Sequence, residues 1–195
     1  MVSKTFMMAT PDWGTSEFLV KNGYVKLDKE SFLKPDFLVF PGGADVSPEL
    51  YFEVKESRTH SDKFRDLEEC NQLMAARLYG IPCIGICRGI QFLHAMSGGT
   101  LTQHIEGHAG PKHNVITKDN TKILVTSSHH QCVAKKDWAM YEEVYYAEDG
   151  TIEAIYSEVY NWAGVQWHPE YRDASVECQK FFIDMIEKLT NKVGF

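Results

Sequence analysis

Cys87 stands in Gly85-Ile86-Cys87-Arg88-Gly89, after the apolar run Ile81-Pro82-Cys83-Ile84 and before a helical pattern that begins at Arg88. A sharp strand-to-helix turn crowds the backbone around its central residue, and glycine two positions to either side removes the Cβ atoms that would clash. Such a turn lifts a sulfur above the edge of a sheet. At a helix N-terminus the macrodipole and free N–H groups also favour the thiolate. Cys70, Cys83, Cys132 and Cys178 lack these flanks and read as small buried hydrophobes. The motif names a nucleophile and leaves the substrate open.

A base and its orienting group come from Gly164-Val165-Gln166-Trp167-His168-Pro169-Glu170. If residues 164–168 continue as a strand, His168 and Glu170, two apart, face the same way. The carboxylate can then hold one imidazole nitrogen while the other meets the thiol. A lone His-x-Glu would be a surface pair; joined to the cysteine turn it completes a nucleophile, base and orienter. A third segment, Phe37-Leu38-Val39-Phe40-Pro41-Gly42-Gly43, is a strand ending in a glycine pair where backbone amides can approach a ligand. The N–H groups of Gly43 and Arg88 are the expected oxyanion hole, with an ordinary tight turn as the equal alternative at Gly43.

These segments need a scaffold that brings strand ends together. Residues 5–9, 24–27, 37–40 and 82–86 read as strands alternating with helical patterns, the signature of a parallel sheet with crossover helices. Ligands gather at the carboxyl ends of such strands. In 61–79, Phe64, Leu67, Met74 and Leu78 recur at helical spacing, and Gly80 and Pro82 supply stop signals. A helix is expected over 88–96. Segments near 113–117, 122–125, 142–147, 151–156 and 164–168 predict further strands, and a last helix over 174–191 carries Val176, Phe181, Phe182, Met185, Ile186 and Leu189 on one stripe. The aromatics Trp138, Tyr141, Tyr145 and Tyr146 read as packed rather than as a partner surface.

At 195 residues and 44% apolar content, one α/β domain over residues 1–195 is expected. The net charge of -7, with scattered Lys and Arg, argues against nucleic acid or an anionic membrane as partner. No apolar run is long enough to span a bilayer and the start has no signal-peptide pattern, so the cytoplasm is the expected compartment. Five dispersed cysteines without a C-x-x-C pair argue against a disulfide framework or thiolate zinc site.

Taken together, Pro-Gly-Gly, Gly-Ile-Cys-Arg-Gly-Ile-Gln and Trp-His-Pro-Glu, in that order from Phe37 to Glu170, resemble the class I glutamine amidotransferase superfamily. The stretches around Asp45, Arg65-Asp66-Leu67-Glu68, residues 98–105 and Ser127-Ser128-His129-His130-Gln131 are most similar to its γ-glutamyl-γ-aminobutyrate hydrolase branch. The resemblance implies a flavodoxin-like three-layer fold, with a mostly parallel central sheet and a small antiparallel extension. It implies Cys87 as nucleophile, His168 as base and Glu170 as its orienter, acting on the γ-amide of glutamine or a γ-glutamyl amine through a γ-glutamyl thioester. Gln91 matches a glutamine that helps hold the glutamyl part, and Ser128 and His129 match a segment lining its pocket; a polar turn is the alternative for the last two. The trimmed loops leave the leaving amine open.

Two forms of this chemistry remain, a free-standing hydrolase and a glutaminase subunit that feeds ammonia to a synthetase chain. No Gly-rich phosphate loop is present, so an acceptor site for ammonia is expected on another chain; a homodimer is allowed for. A non-catalytic binding protein of the same fold is the rival from another class. A metal site on His104, His108 and His113 is a further rival, but their spacing is loose and no acidic residue is regularly placed among them, so no metal and no cofactor is expected. Arg65, Asp66 and Glu68 read as a solvated ion-pair face of their helix.

Overall fold

The computed structural model describes residues 3–134 and 141–191. Its first half alternates strand and helix: β1 (Thr5–Met8), α1 (Trp13–Lys21), β2 (Val25–Lys26), β3 (Phe37–Phe40), α2 (Lys63–Tyr79), β4 (Cys83–Ile86) and α3 (Arg88–Met96). Short strands dominate the second half: β5 (Leu101–Thr102), β6 (His113–Ile116), β7 (Lys122–Val125), β8 (Cys132–Val133), β9 (Glu143–Ala147), β10 (Ile152–Ser157) and β11 (Trp162–Val165). Helix α4 (Val176–Thr190) closes the described chain.

Among the described residues one sheet has the order β2-β1-β3-β4-β11-β10-β9-β6-β7, and β5 pairs with β8 apart from it. The strands from β2 to β11 in that order pair in parallel, and β10, β9, β6 and β7 continue as an antiparallel extension. With β11 in fifth place, the parallel part has the 2-1-3-4-5 order of flavodoxin-like folds. Side chains alternate across the sheet: Phe37 and Val39 of β3 enter the core under α1 and α4, and Leu38 and Phe40 enter the core under α2 and α3. That alternation makes the three layers.

Helix ends follow their sequence signals. Asp62 caps α2 by accepting from the N–H groups of Phe64 and Arg65, Gly80 ends it in the left-handed region at φ 62°, and Ser175 caps α4. Helix α1, absent from the sequence reading, starts on the Asp12 side chain, which accepts from Thr15 N at 2.7 Å.

Two expectations are corrected. The stripe Phe64, Leu67, Met74 and Leu78 lies on the outer face of α2, with Phe64 89% exposed, while Asp66, Glu69, Leu73 and Ala76 face inward. Both sets have helical spacing, and the set whose carboxylates meet a buried guanidinium is the one turned in. The last central strand runs over Trp162–Val165, so His168 and Glu170 lie beyond its end, in a turn. Tyr141 and Tyr145 are buried, as packed aromatics should be, whereas Tyr146 is exposed on the other face of β9; Trp138 lies outside the described residues. No helix among the described residues is long and apolar enough to cross a membrane.

Candidate active site

Strand β4 delivers Cys87 at its carboxyl end, and the residue sits at φ 50° and ψ −108°, a backbone conformation rarely adopted by a residue with a Cβ. The neighbouring glycines make this turn sterically feasible. A Cβ on Gly89 would lie 1.9 Å from the Phe40 carbonyl oxygen, and one on Gly85 would lie 2.5 Å from Ile90 N. Helix α3 is thereby pressed against β3 and β4, with its N-terminus beneath the sulfur. Burial pushes the other four thiols up, Cys83 to about 12 and Cys132 to about 11, so they stay protonated near neutrality.

His168 and Glu170 are brought together as expected, by a different local geometry. In the turn around Pro169, His168 Nδ1 and Glu170 Oε1 stand 2.6 Å apart. Thr126 clamps the His168 backbone from both sides: its Oγ1 accepts from His168 N and donates to His168 O, each at 3.0 Å. Tyr171 stacks on the imidazole, the ring centroids 4.3 Å apart. Burial works against the imidazolium, but hydrogen bonds and charge at Cys87 and Glu170 outweigh it and hold the His168 pKa at about 11, above the ordinary 6.5. Gly42 leaves room between the two partners, since a Cβ there would lie 2.7 Å from His168 Cε1 and 3.6 Å from Cys87 Cβ.

A cavity of about 220 Å³ opens beside the sulfur, with Gly43, Cys87, Gln91, Ser128 and His129 in its wall. Gly43 has φ +148° and passes under Arg65, whose Nη2 donates to Pro41 O at 2.9 Å. Among the described residues no backbone carbonyl accepts from the N–H of Gly43 or of Arg88. Gln91 Nε2 donates to Gln131 O (2.9 Å) and to Gln166 Oε1 (3.1 Å), which ties the far wall of the cavity to α3. Ser128 is exposed at the mouth, whereas His129 is buried and its Nδ1 donates to Gln131 O at 2.9 Å.

The Arg65–Glu68 segment is not the solvated face expected. Asp66 and Glu69 are buried and both bind the guanidinium of Arg88, which is 1% exposed. Glu69 also accepts from Arg65 Nε (3.0 Å) and Thr10 Oγ1 (3.0 Å), and Asp66 accepts from Ser47 N (3.2 Å). Two guanidinium groups and two carboxylates thus hold the Gly43 loop, α2 and the residue after Cys87 in one unit. Glu68 alone is on an exposed ion pair, with Lys29. Glu69, Thr126 and Tyr171 escaped the sequence reading; Glu69 lies four residues after Arg65, a helical pairing signal that was present.

The histidines regroup as well. His104 pairs with Glu106 at 2.8 Å, away from His108 and His113, which instead meet Glu153.

A match to the peptidase C26 family covers residues 28–170, most of the chain and the segments that carry Gly43, Cys87, His168 and Glu170. The chain belongs to the peptidase C26 family. It is 30% identical over 156 residues to glutamine amidotransferase-like protein YvdE of Lactococcus lactis, covering 69% of this chain and 66% of that protein. It is 27% identical over 112 residues to the arginine-specific small chain of carbamoyl phosphate synthase of Bacillus subtilis, covering 55% of this chain and 32% of that one. The fold matches a glutamine amidotransferase structure from Thermotoga maritima with a TM-score of 0.66 at 14% identity, over 98% of this chain and 100% of that one. The flavodoxin-like glutamine amidotransferase fold is therefore the architecture of this family member.

Proposed function

We propose that the chain hydrolyses the γ-amide of glutamine or of a γ-glutamyl amine, with Cys87 as nucleophile. The observation that carries this reading is a strained cysteine at a strand end, facing a histidine held 2.6 Å from a carboxylate, beside a cavity sized for a small molecule.

In this mechanism Cys87 Sγ, as the thiolate, attacks the γ-carbonyl carbon, and the carbonyl electron pair moves onto oxygen. The N–H groups of Gly43 and Arg88 donate to that oxyanion. The His168 imidazolium passes its proton to the departing nitrogen as the C–N bond breaks, leaving ammonia or an amine and a γ-glutamyl thioester. Neutral His168 then takes a proton from water, whose oxygen attacks the thioester; glutamate leaves and the Cys87 thiolate and His168 imidazolium return. Glu170 keeps the imidazole oriented throughout. Gln91, Ser128 and His129 shape the glutamyl pocket. The likeness of residues 98–105 and 127–131 to the γ-glutamyl-γ-aminobutyrate hydrolase branch favours a free-standing hydrolase.

A second form, ammonia supply to a synthetase chain, is favoured by the relative named as the small chain of carbamoyl phosphate synthase. Glutamate release from glutamine and a panel of γ-glutamyl amines separates the two. Turnover of an amine substrate by the isolated chain supports the hydrolase, and glutamine turnover that appears only with a partner chain supports the subunit. Cys87→Ala is expected to lower either activity by about 10⁴-fold or more; turnover retained by that folded variant defeats the cysteine mechanism.

A further inference from the structure

We infer that His108, His113 and Glu153, with His129 beside them, form a binding site for a divalent transition-metal ion of the zinc class. Glu153 is 0% exposed, and three imidazole nitrogens surround its Oε1: His113 Nε2 at 3.1 Å, His108 Nδ1 at 3.3 Å and His129 Nε2 at 3.6 Å. None of the three meets hydrogen-bond geometry, and both Glu153 oxygens lack a hydrogen-bond partner. Buried polar atoms are seldom left in that condition without a reason. Zinc–nitrogen and zinc–oxygen bonds of about 2.0–2.2 Å in a tetrahedral site put ligand atoms roughly 3.3 Å apart; His113 Nε2 and His108 Nδ1 stand 3.1 and 3.3 Å from Glu153 Oε1, and ligand atoms of the three residues lie within 4.8 Å of one another.

The outer contacts set the ring orientations that metal binding needs. His108 Nε2 faces Asp149 Oδ2 at 2.8 Å and His129 Nδ1 faces Gln131 O at 2.9 Å. A carboxylate and a carbonyl can only accept, so those nitrogens carry the hydrogens and a neutral ring leaves its other lone pair directed at Glu153. This is the pattern in which a carboxylate or carbonyl orients a metal-ligating histidine. One divalent cation would give the buried Glu153 oxygens and the nitrogens facing them the partner that both lack.

The backbone supports the same reading. Glu153 is the extra residue of a β-bulge: Ile152 pairs with Tyr146 and Ala154 with Tyr145, leaving Glu153 without an opposite residue. A bulge re-aims a side chain, and this one aims a carboxylate at histidines from β6 and from the cavity wall. Three protein ligands leave one position of a tetrahedral site to water, and the ion would tie together the segments around residues 108, 113 and 153.

The test uses the full chain and needs no activity. Protein stripped with a strong chelator and desalted is titrated with Co²⁺ and then with Zn²⁺, on wild type and on Cys87→Ala so that the nucleophile is not the ligand read. Expected are the visible absorption bands of tetrahedral Co²⁺ saturating at one equivalent, their loss to Zn²⁺, and a Tm raised by several degrees with either ion. His113→Ala and Glu153→Gln should each weaken binding at least about 100-fold, on the scale of lost metal ligation. The inference is overturned if stripped, folded wild type takes up neither ion at micromolar concentration, which would mean a cluster filled by protons. It is equally overturned if the bands vanish in Cys87→Ala. Should a variant fail to fold, the wild-type titration alone decides.

Discussion

Two buried polar centres flank the candidate pocket, and they are balanced in opposite ways. Around Arg88 each guanidinium faces carboxylates, and Glu69 further accepts from Arg65 and Thr10. Around Glu153 the groups are also largely buried but stand farther apart, at 3.1 to 3.6 Å, and hydrogen-bond directions are missing. The first centre is complete at its carboxylates with what the protein supplies, Arg88 Nε lacking a partner, and it fixes the loop and helix that carry Gly43 and Arg88. The second is arranged around a point rather than around a set of donor–acceptor lines. Burial of charge therefore means different things at the two places: compensation at one, a ligand set at the other.

Substitution should separate the two centres. Breaking the complete one has the largest expected effect: Glu69→Ala leaves Arg88 and Arg65 short of a carboxylate and should destabilise the fold by about 3–5 kcal/mol, read by chemical denaturation. A loss under about 1 kcal/mol would mean that the cluster is not the support described. Next comes the His168–Glu170 pair. With a folded pKa near 11 against 6.5, the charged His168 contributes stability that is full below pH 6.5 and is lost as pH rises through about 11. Glu170→Gln should flatten that decline in a pH series of denaturation curves; an unchanged slope would remove Glu170 from the pairing. Smaller still, Thr10→Val deletes one buried hydrogen bond to Glu69 and should cost about 1 kcal/mol. The smallest effect sharpens the comparison. In chelator-stripped protein, Glu153→Gln should cost less than about 1 kcal/mol because no hydrogen bond is lost, in contrast to Glu69→Ala. A cost as large as that at Glu69 would make the two centres alike after all.

Much of the fold was legible in the chain. Strand β3 and helix α3 lie where their patterns predict, and the glycines around Cys87 relieve the clashes their spacing suggested, Gly89 against Phe40 and Gly85 against Ile90. Local signals suffice there because a strand-to-helix turn depends on residues within a few positions of one another. Helix α2 shows the limit. Its extent was readable, but its buried face was not, since Phe64, Leu67, Met74 and Leu78 form as good a helical stripe as Asp66, Glu69, Leu73 and Ala76. Polarity alone favoured the wrong face, and the partner that reverses the choice, Arg88, lies on a different helix. At His168 the expected pairing with Glu170 was met in a turn rather than on a strand, because residues two apart can meet in either.

The histidines mark the same boundary. His104, His108 and His113 are neighbours in the chain, and their loose spacing gave no reason to expect a ligand set. Only the sheet brings His108 and His113 to Glu153 and sends His104 to Glu106. By itself the sequence determined the turn at Cys87, the alternation of strands and helices and the family motifs, all of which rest on short-range sterics and periodicity. The tertiary structure alone decided which charges are buried together, because a desolvated carboxylate is compensated by whatever the packing of distant strands brings within reach, and no local pattern encodes that.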